Sequence, residues 1–101
     1  MAIAHYQQPL ARVRAHAAAI HAIVQRHGGT NPRVFGSVAR GDACEGSDVD
    51  FLVDNVRLTL FDLVDMQDDL AALLGMDVDV VVDEEVRARS RPIIERDALA
   101  L

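Results

Sequence analysis

The chain has no lysine and no tryptophan, and Cys44 is its one cysteine in 101 residues. Without lysine there is neither a Schiff-base amine nor a P-loop lysine. One thiol makes no internal disulfide and no cysteine-rich zinc site, which suits a reducing, cytoplasmic setting. Long apolar runs are missing too. Arg12, Arg14, His16 and His21 interrupt the hydrophobic N-terminal stretch before it could form a signal-peptide core or span a bilayer. Positive charge is scarce: ten arginines face sixteen acidic residues, twelve of them aspartate, for a net charge of -6. That balance disfavours binding to a nucleic-acid duplex and gives no reason to expect a membrane partner. What remains is half hydrophobic and 26% charged, the composition of one compact domain over residues 1–101. A domain of this size has no cleft between lobes, so a large substrate must be met at an open face or brought by a partner.

Pro9 can open a helix, and Leu10, Val13, Ala17, Ile20 and Val24 recur at three- and four-residue steps until Gly28 and Gly29 stop it. Arg33 to Phe35 reads as a short strand running into Gly36-Ser37, and Val49 to Val53 as a second strand interrupted by Asp50. Thr59 is placed to cap a helix whose buried stripe is Leu63, Met66, Leu70, Leu73 and Leu74, with Asp62, Asp65 and Asp69 on its wet side and Gly75 at its end. Val78 to Val82 reads as a third strand. Glu84 to Ser90 and Pro92 to Ala98 then read as one or two short helices. Strands alternating with helices predict an α/β fold, a small sheet with helices packed on one face.

Asp48 and Asp50 lie two apart on a strand, so both side chains take one face with Cα atoms roughly 6.5 Å apart. Two bare carboxylates at about 6 Å repel by on the order of 3 kcal/mol at an effective dielectric near 20. A shared divalent cation reverses that sign, and oxygen donors of this kind suit magnesium. Twelve aspartates in 101 positions produce about one Asp-x-Asp pair by chance, so a solvated strand face explains one pair as well. A second pair, Asp77 and Asp79, aligns beside the first if the two strands are neighbours. Gly36-Ser37, between a strand and a short helix, offers free backbone N–H groups, the positive end of a helix dipole and a hydroxyl, which is a place for phosphate.

Together Gly36, Ser37, Arg40, Gly41, Ser47, Asp48, Asp50 and Val53 resemble the signature of the minimal nucleotidyltransferases of the DNA polymerase β superfamily. Gly75 to Val81 resembles that family's third-carboxylate strand. The resemblance implies the polymerase β-like fold, here a small mixed sheet of three to five strands. It implies two Mg²⁺ ions held by Asp48, Asp50 and Asp79, with ATP as substrate and attack on its α-phosphorus expelling pyrophosphate. Asp77 rivals Asp79 for the third place; the apolar Val78 directly before Asp79 matches the family pattern. Gly36 and Ser37 would bind the β- and γ-phosphates. Arg40 would join them in nucleotide binding, or else brace the loop by pairing with Asp42 or Glu45.

Other candidates are weaker. His16 and His21 are five apart and cannot share a metal on one helix face; His5 and His27 read as solvated ends. Cys44 has no histidine near it in sequence to activate it. Arg87, Arg89, Arg91 and Arg96 either balance the aspartates or meet an acidic partner. The resemblance further implies transfer of AMP to a hydroxyl. Small stand-alone members act as antitoxins that adenylylate a tyrosine of a HEPN-domain toxin, a partner with which a hetero-oligomer would form. The first twenty-seven residues and the arginine-rich C-terminal segment are the expected contact surfaces. Two other readings stand beside it: an antitoxin that neutralises by contact alone, and a small-molecule nucleotidyltransferase with its pocket across a homodimer.

Overall fold

A computed structural model gives the protein's structure and describes residues 9–43, 46–55, 57–86 and 89–101. Pro9 opens helix α1 (Pro9–Ala15), and α2 (Ala17–Arg26) continues the same buried face, Val13, Ile20 and Val24 being fully buried. The single helix expected from that periodicity is interrupted at His16. There the ring Nδ1 lies 2.8 Å from the Arg12 carbonyl oxygen, which the His16 N–H also approaches at 3.2 Å. A side chain competing for a backbone group in this way disturbs helical hydrogen bonding.

Strands β1 (Thr30–Phe35), β2 (Val49–Asp54), β3 (Val78–Val82) and β4 (Leu99–Ala100) form one mixed sheet in the order β3-β2-β1-β4. β1 runs antiparallel to β2 and to β4, whereas β2 and β3 are parallel. A parallel pair needs a crossover, and α4 (Leu60–Leu74) supplies it. The two-residue period of the strands sorts their side chains between two environments. Val34, Val49, Phe51, Val53, Val80 and Val82 meet Val13, Ile20, Val24, Val38, Met66, Leu70 and Leu74 in one core. Alternate residues, among them Asp50, Leu52 and Asp54 of β2, take the other face.

Four strands fall within the three to five that the resemblance implies, but the residue pattern does not mark β4 as a strand. Leu99 pairs with Val34, and the Leu101 N–H reaches the Pro32 carbonyl at 3.3 Å; it is the open edge of β1 that makes these residues a strand. Nor do the described residues of Glu84 to Ser90 form an α-helix. A 3-10 turn covers Asp83–Glu85, and the Arg91 guanidinium donates to the carbonyls of Asp83 and Val86 at 2.8 and 3.4 Å, taking acceptors that a continuing helix would use. Helix α5 (Arg91–Asp97) follows, with proline in its first turn.

α4 is read most fully from sequence. The Thr59 hydroxyl accepts the Asp62 N–H at 3.1 Å, and the Asp62 carboxylate accepts the Thr59 N–H at 2.8 Å, a reciprocal capping box. Those bonds hold the Asp62 carboxyl below its ordinary value. Thr59→Ala is expected to cost about 1 kcal/mol, read as a lower urea midpoint with an unchanged m-value. The outer side of α4 is not uniformly acidic, since Leu60 and Phe61 are among its exposed residues. Among the described residues no helix is long and apolar enough to cross a membrane.

Candidate active site

β1 turns directly into helix α3 (Gly36–Arg40) at Phe35, whose strand partner is Asp50. On its other side Asp50 pairs with Asp79. One row across the sheet therefore runs from the start of α3 through Asp50 to Asp79. Asp48 shares the Asp50 face by the two-residue period, and the Val49 N–H between them donates to the Asp77 carbonyl at 2.9 Å, tying the entry of β2 to the entry of β3. The alignment of the two Asp-x-Asp pairs anticipated from sequence is present in this register.

Asp50 is half-buried, whereas Asp48, Asp77 and Asp79 are exposed. Its carboxyl titrates above the ordinary value, first because burial penalises its charge, then because Asp79 and Asp48 repel it; Arg40 acts in the opposite sense. The repulsion on Asp50 thus comes from Asp79 and Asp48. A half-buried carboxylate flanked by two others is a donor set with excess negative charge, and such oxygens fit a hard divalent cation.

Gly36 stands against this carboxylate. Its φ of +76° lies in the left-handed region, and a Cβ built on it would fall 2.5 Å from Asp50 Oδ2. Only glycine allows the α3 turn to approach Asp50 so closely. Ser37 follows on the first turn of α3, and Val38 anchors the helix in the core. Gly41, at φ +82°, ends it; the Gly41 and Asp42 N–H groups donate to the carbonyls of Val38 and Ser37 at 3.2 and 2.9 Å.

Arg40, the last residue of α3, donates from Nε to Asp42 at 3.0 Å and from NH1 to Asp97 at 2.9 Å. The loop brace to Asp42 was foreseen; Glu45 and Cys44 lie outside the described residues. Asp97 was not foreseen. It lies fifty-seven residues away on α5, and no local pattern links it to the Gly-Ser turn.

The remaining charged residues are largely engaged elsewhere. Asp54, Asp83 and Glu84 are the described carboxylates whose oxygens gather within 4.8 Å of one another, at the far end of β2 and β3 from Asp48. Arg33 pairs with Asp54 and lies 3.8 Å from Asp83, which Arg91 also reaches at 3.1 Å; guanidinium groups already meet the charge of Asp54 and Asp83. His27 is not a solvated end: its Nε2 lies 2.7 Å from Asp69, which Arg26 also binds at 2.6 Å. His16 and His21 approach the carbonyls of Arg12 and Leu101, not each other. Arg91 and Arg96 of the arginine cluster pair with neighbouring acids, and Arg87 lies outside the described residues.

A four-stranded mixed sheet with a Gly-Ser turn beside paired strand aspartates is the architecture of a nucleotidyltransferase. The chain belongs to the nucleotidyltransferase domain family, whose pattern matches residues 18–101, and it is a transferase of that family. It is 36% identical over 76 residues to the protein adenylyltransferase MntA of Thermococcus cleftensis, an overlap covering 74% of this chain and 77% of that one. It is 33% identical over 78 residues to a Methanocaldococcus jannaschii protein provisionally named as a protein adenylyltransferase, covering 76% and 84% of the two chains. A solved structure described as a minimal nucleotidyltransferase superposes with a TM-score of 0.81 at 40% identity, covering 96% of this chain and 98% of that one. A toxin-antitoxin crystal structure with AMP-PNP has a TM-score of 0.72 at 20% identity, covering 82% and 69%; that likeness is one of fold.

Proposed function

We propose that this chain transfers AMP from Mg·ATP to a hydroxyl of a partner protein, and that it is the antitoxin of a pair, adenylylating a tyrosine on a HEPN-domain toxin. The observation that carries the transfer chemistry is the β2–β3 register, which sets Asp79 beside Asp50 in the same row as the start of α3. The carboxylates proposed for metal and the backbone proposed for phosphate thus lie at the same end of the strands. The name of the Thermococcus relative supports a protein acceptor.

Asp48 and Asp50 would hold two Mg²⁺ ions, with Asp79 completing the site; bound there, the ions supply charge neutralisation of the triphosphate and acidification of the acceptor hydroxyl. Asp79 is preferred to Asp77 because it is Asp79 whose charge acts on Asp50. Gly36 lets the backbone close on the β- and γ-phosphates, the Ser37 hydroxyl donates to them, and Arg40 adds positive charge at the end of the same helix.

The test is incubation with Mg·ATP and the product of the adjacent gene, reading the intact mass of both chains. The expected result is a gain of AMP units on the partner, reduced on the order of a hundredfold or more in rate by Asp79→Asn and kept in Asp77→Asn. A stable complex with no mass gain would overturn the transferase reading in favour of neutralisation by contact.

A further inference from the structure

Arg40 is held from two directions that differ in physical character. Asp42 is a near neighbour in sequence and its side chain is 65% exposed, so that pair is solvated and local. The Asp97 side chain is only 8% exposed. A carboxylate so little hydrated depends on a cation partner, whereas a surface one does not. Its other cation, Arg96, is 3.6 Å away on a side chain that is 72% exposed, which leaves Arg40 as the close one. The two carboxylates take different edges of the guanidinium, Asp42 at Nε and Asp97 at NH1. Two contacts on a planar fork fix its plane as well as its position. Arg40 ends the short helix that Gly36 begins beside Asp50, so a guanidinium fixed by α5 stands on the element that borders the acidic row.

We propose that Asp97 is a positioning residue for the nucleotide, holding Arg40 where it meets the triphosphate, so that α5 is a working part of the site. The proposal rests on the reading of this chain as an ATP-using transferase. It differs from a simple brace of the fold in what it predicts. A brace, once loosened, weakens every ligand alike, whereas a misplaced Arg40 weakens only ligands that carry β- and γ-phosphates.

Calorimetric titration of the whole chain with Mg·AMP-PNP, and separately with AMP, separates the two. Asp97→Asn keeps the side-chain volume and removes the charge. It is expected to bind Mg·AMP-PNP about tenfold more weakly, the scale of one oriented charge-assisted contact, with AMP affinity changed less than about twofold. Arg40→Gln should show the same pattern, and the double variant should be no weaker than Arg40→Gln alone, because both changes disable one contact. Should Asp97→Asn fail to fold, Asp97→Glu, which retains the charge on a longer arm, is expected to show the same selective loss at smaller size. Unchanged or tighter Mg·AMP-PNP binding in the folded variant overturns the proposal, as do additive effects in the double variant or equal losses for AMP. Wild-type protein that fails to bind Mg·AMP-PNP overturns the transferase reading itself, and the proposal with it. Wild-type binding with no effect of Asp97→Asn overturns the proposal alone.

Discussion

Asp50→Asn is expected to abolish transfer to the partner, by about a thousandfold or more, while leaving the metal-free protein at least as stable as wild type at neutral pH. Both halves follow from one cause. Asp50 is half-buried between Asp48 and Asp79, and its folded carboxyl titrates above the ordinary value of 3.8. A raised carboxyl pKa means that the folded state holds the proton more tightly than the unfolded chain does. Its contribution to stability is therefore fully present below the unfolded value and is lost as pH rises through the folded one. At neutral pH the ionised group opposes folding, and asparagine removes that opposition without much change in volume. Mg²⁺ inverts the comparison, because an ion bound to the folded carboxylates stabilises wild type by mass action and gives the variant little. The checks are thermal melts of both proteins in chelator and in millimolar Mg²⁺, together with the initial rate of AMP transfer. A variant less stable than wild type in chelator, at neutral pH and with normal secondary structure, would contradict the electrostatic account of this carboxylate. Undiminished transfer would overturn the proposed place of Asp50 among the metal ligands.

What was legible in the chain is what single residues and short periods determine. The three strands that carry the site are signalled locally. Val78–Val82 forms over the residues its apolar alternation indicates, β2 differs from expectation only by adding Asp54, and β1 only by starting at Thr30. Thr59 and Gly75 bound α4 because a cap and a left-handed stop are chemical properties of single residues. The pairing of Asp50 with Asp79 was legible as a condition: period two fixes which faces the aspartates share, but only the fold makes the strands neighbours. Three features lacked any local signal. β4 exists because β1 presents an edge, His27 meets Asp69 because α2 packs beside α4, and Asp97 meets Arg40 because α5 returns to α3. Each depends on the position of a distant element, which neither periodicity nor composition records. The Asp54, Asp83 and Glu84 group shows the converse hazard. Acidic residues gather there as closely as a metal site requires, yet Asp54 and Asp83 are paired with the guanidinium groups of Arg33 and Arg91.

Gly36→Ala should be nearly as damaging to transfer as the loss of a carboxylate, and comparison with Gly41→Ala isolates the reason. Both glycines have left-handed backbones, at φ +76° and +82°, so each substitution incurs the same kind of conformational penalty, about 1 to 2 kcal/mol per residue. Their surroundings differ. A Cβ at Gly41 meets nothing within 4 Å, whereas one at Gly36 falls 2.5 Å from Asp50 Oδ2. The clash is with the end of a short side chain, so the carboxylate can turn away, and the strand need not move. Stability is then expected to fall by a similar amount in the two variants, read as comparable shifts of the urea midpoint. Transfer is expected to fall by about a hundredfold or more in Gly36→Ala, the scale associated with a catalytic group displaced by roughly an ångström. In Gly41→Ala the loss should be less than about tenfold, since no reacting group is touched. Equal losses of transfer would mean that helix α3 matters through its backbone conformation alone. A selective loss at Gly36 would tie the turn and the proposed metal carboxylates into one device, in which the absence of a side chain at one residue sets the position of another residue's charge.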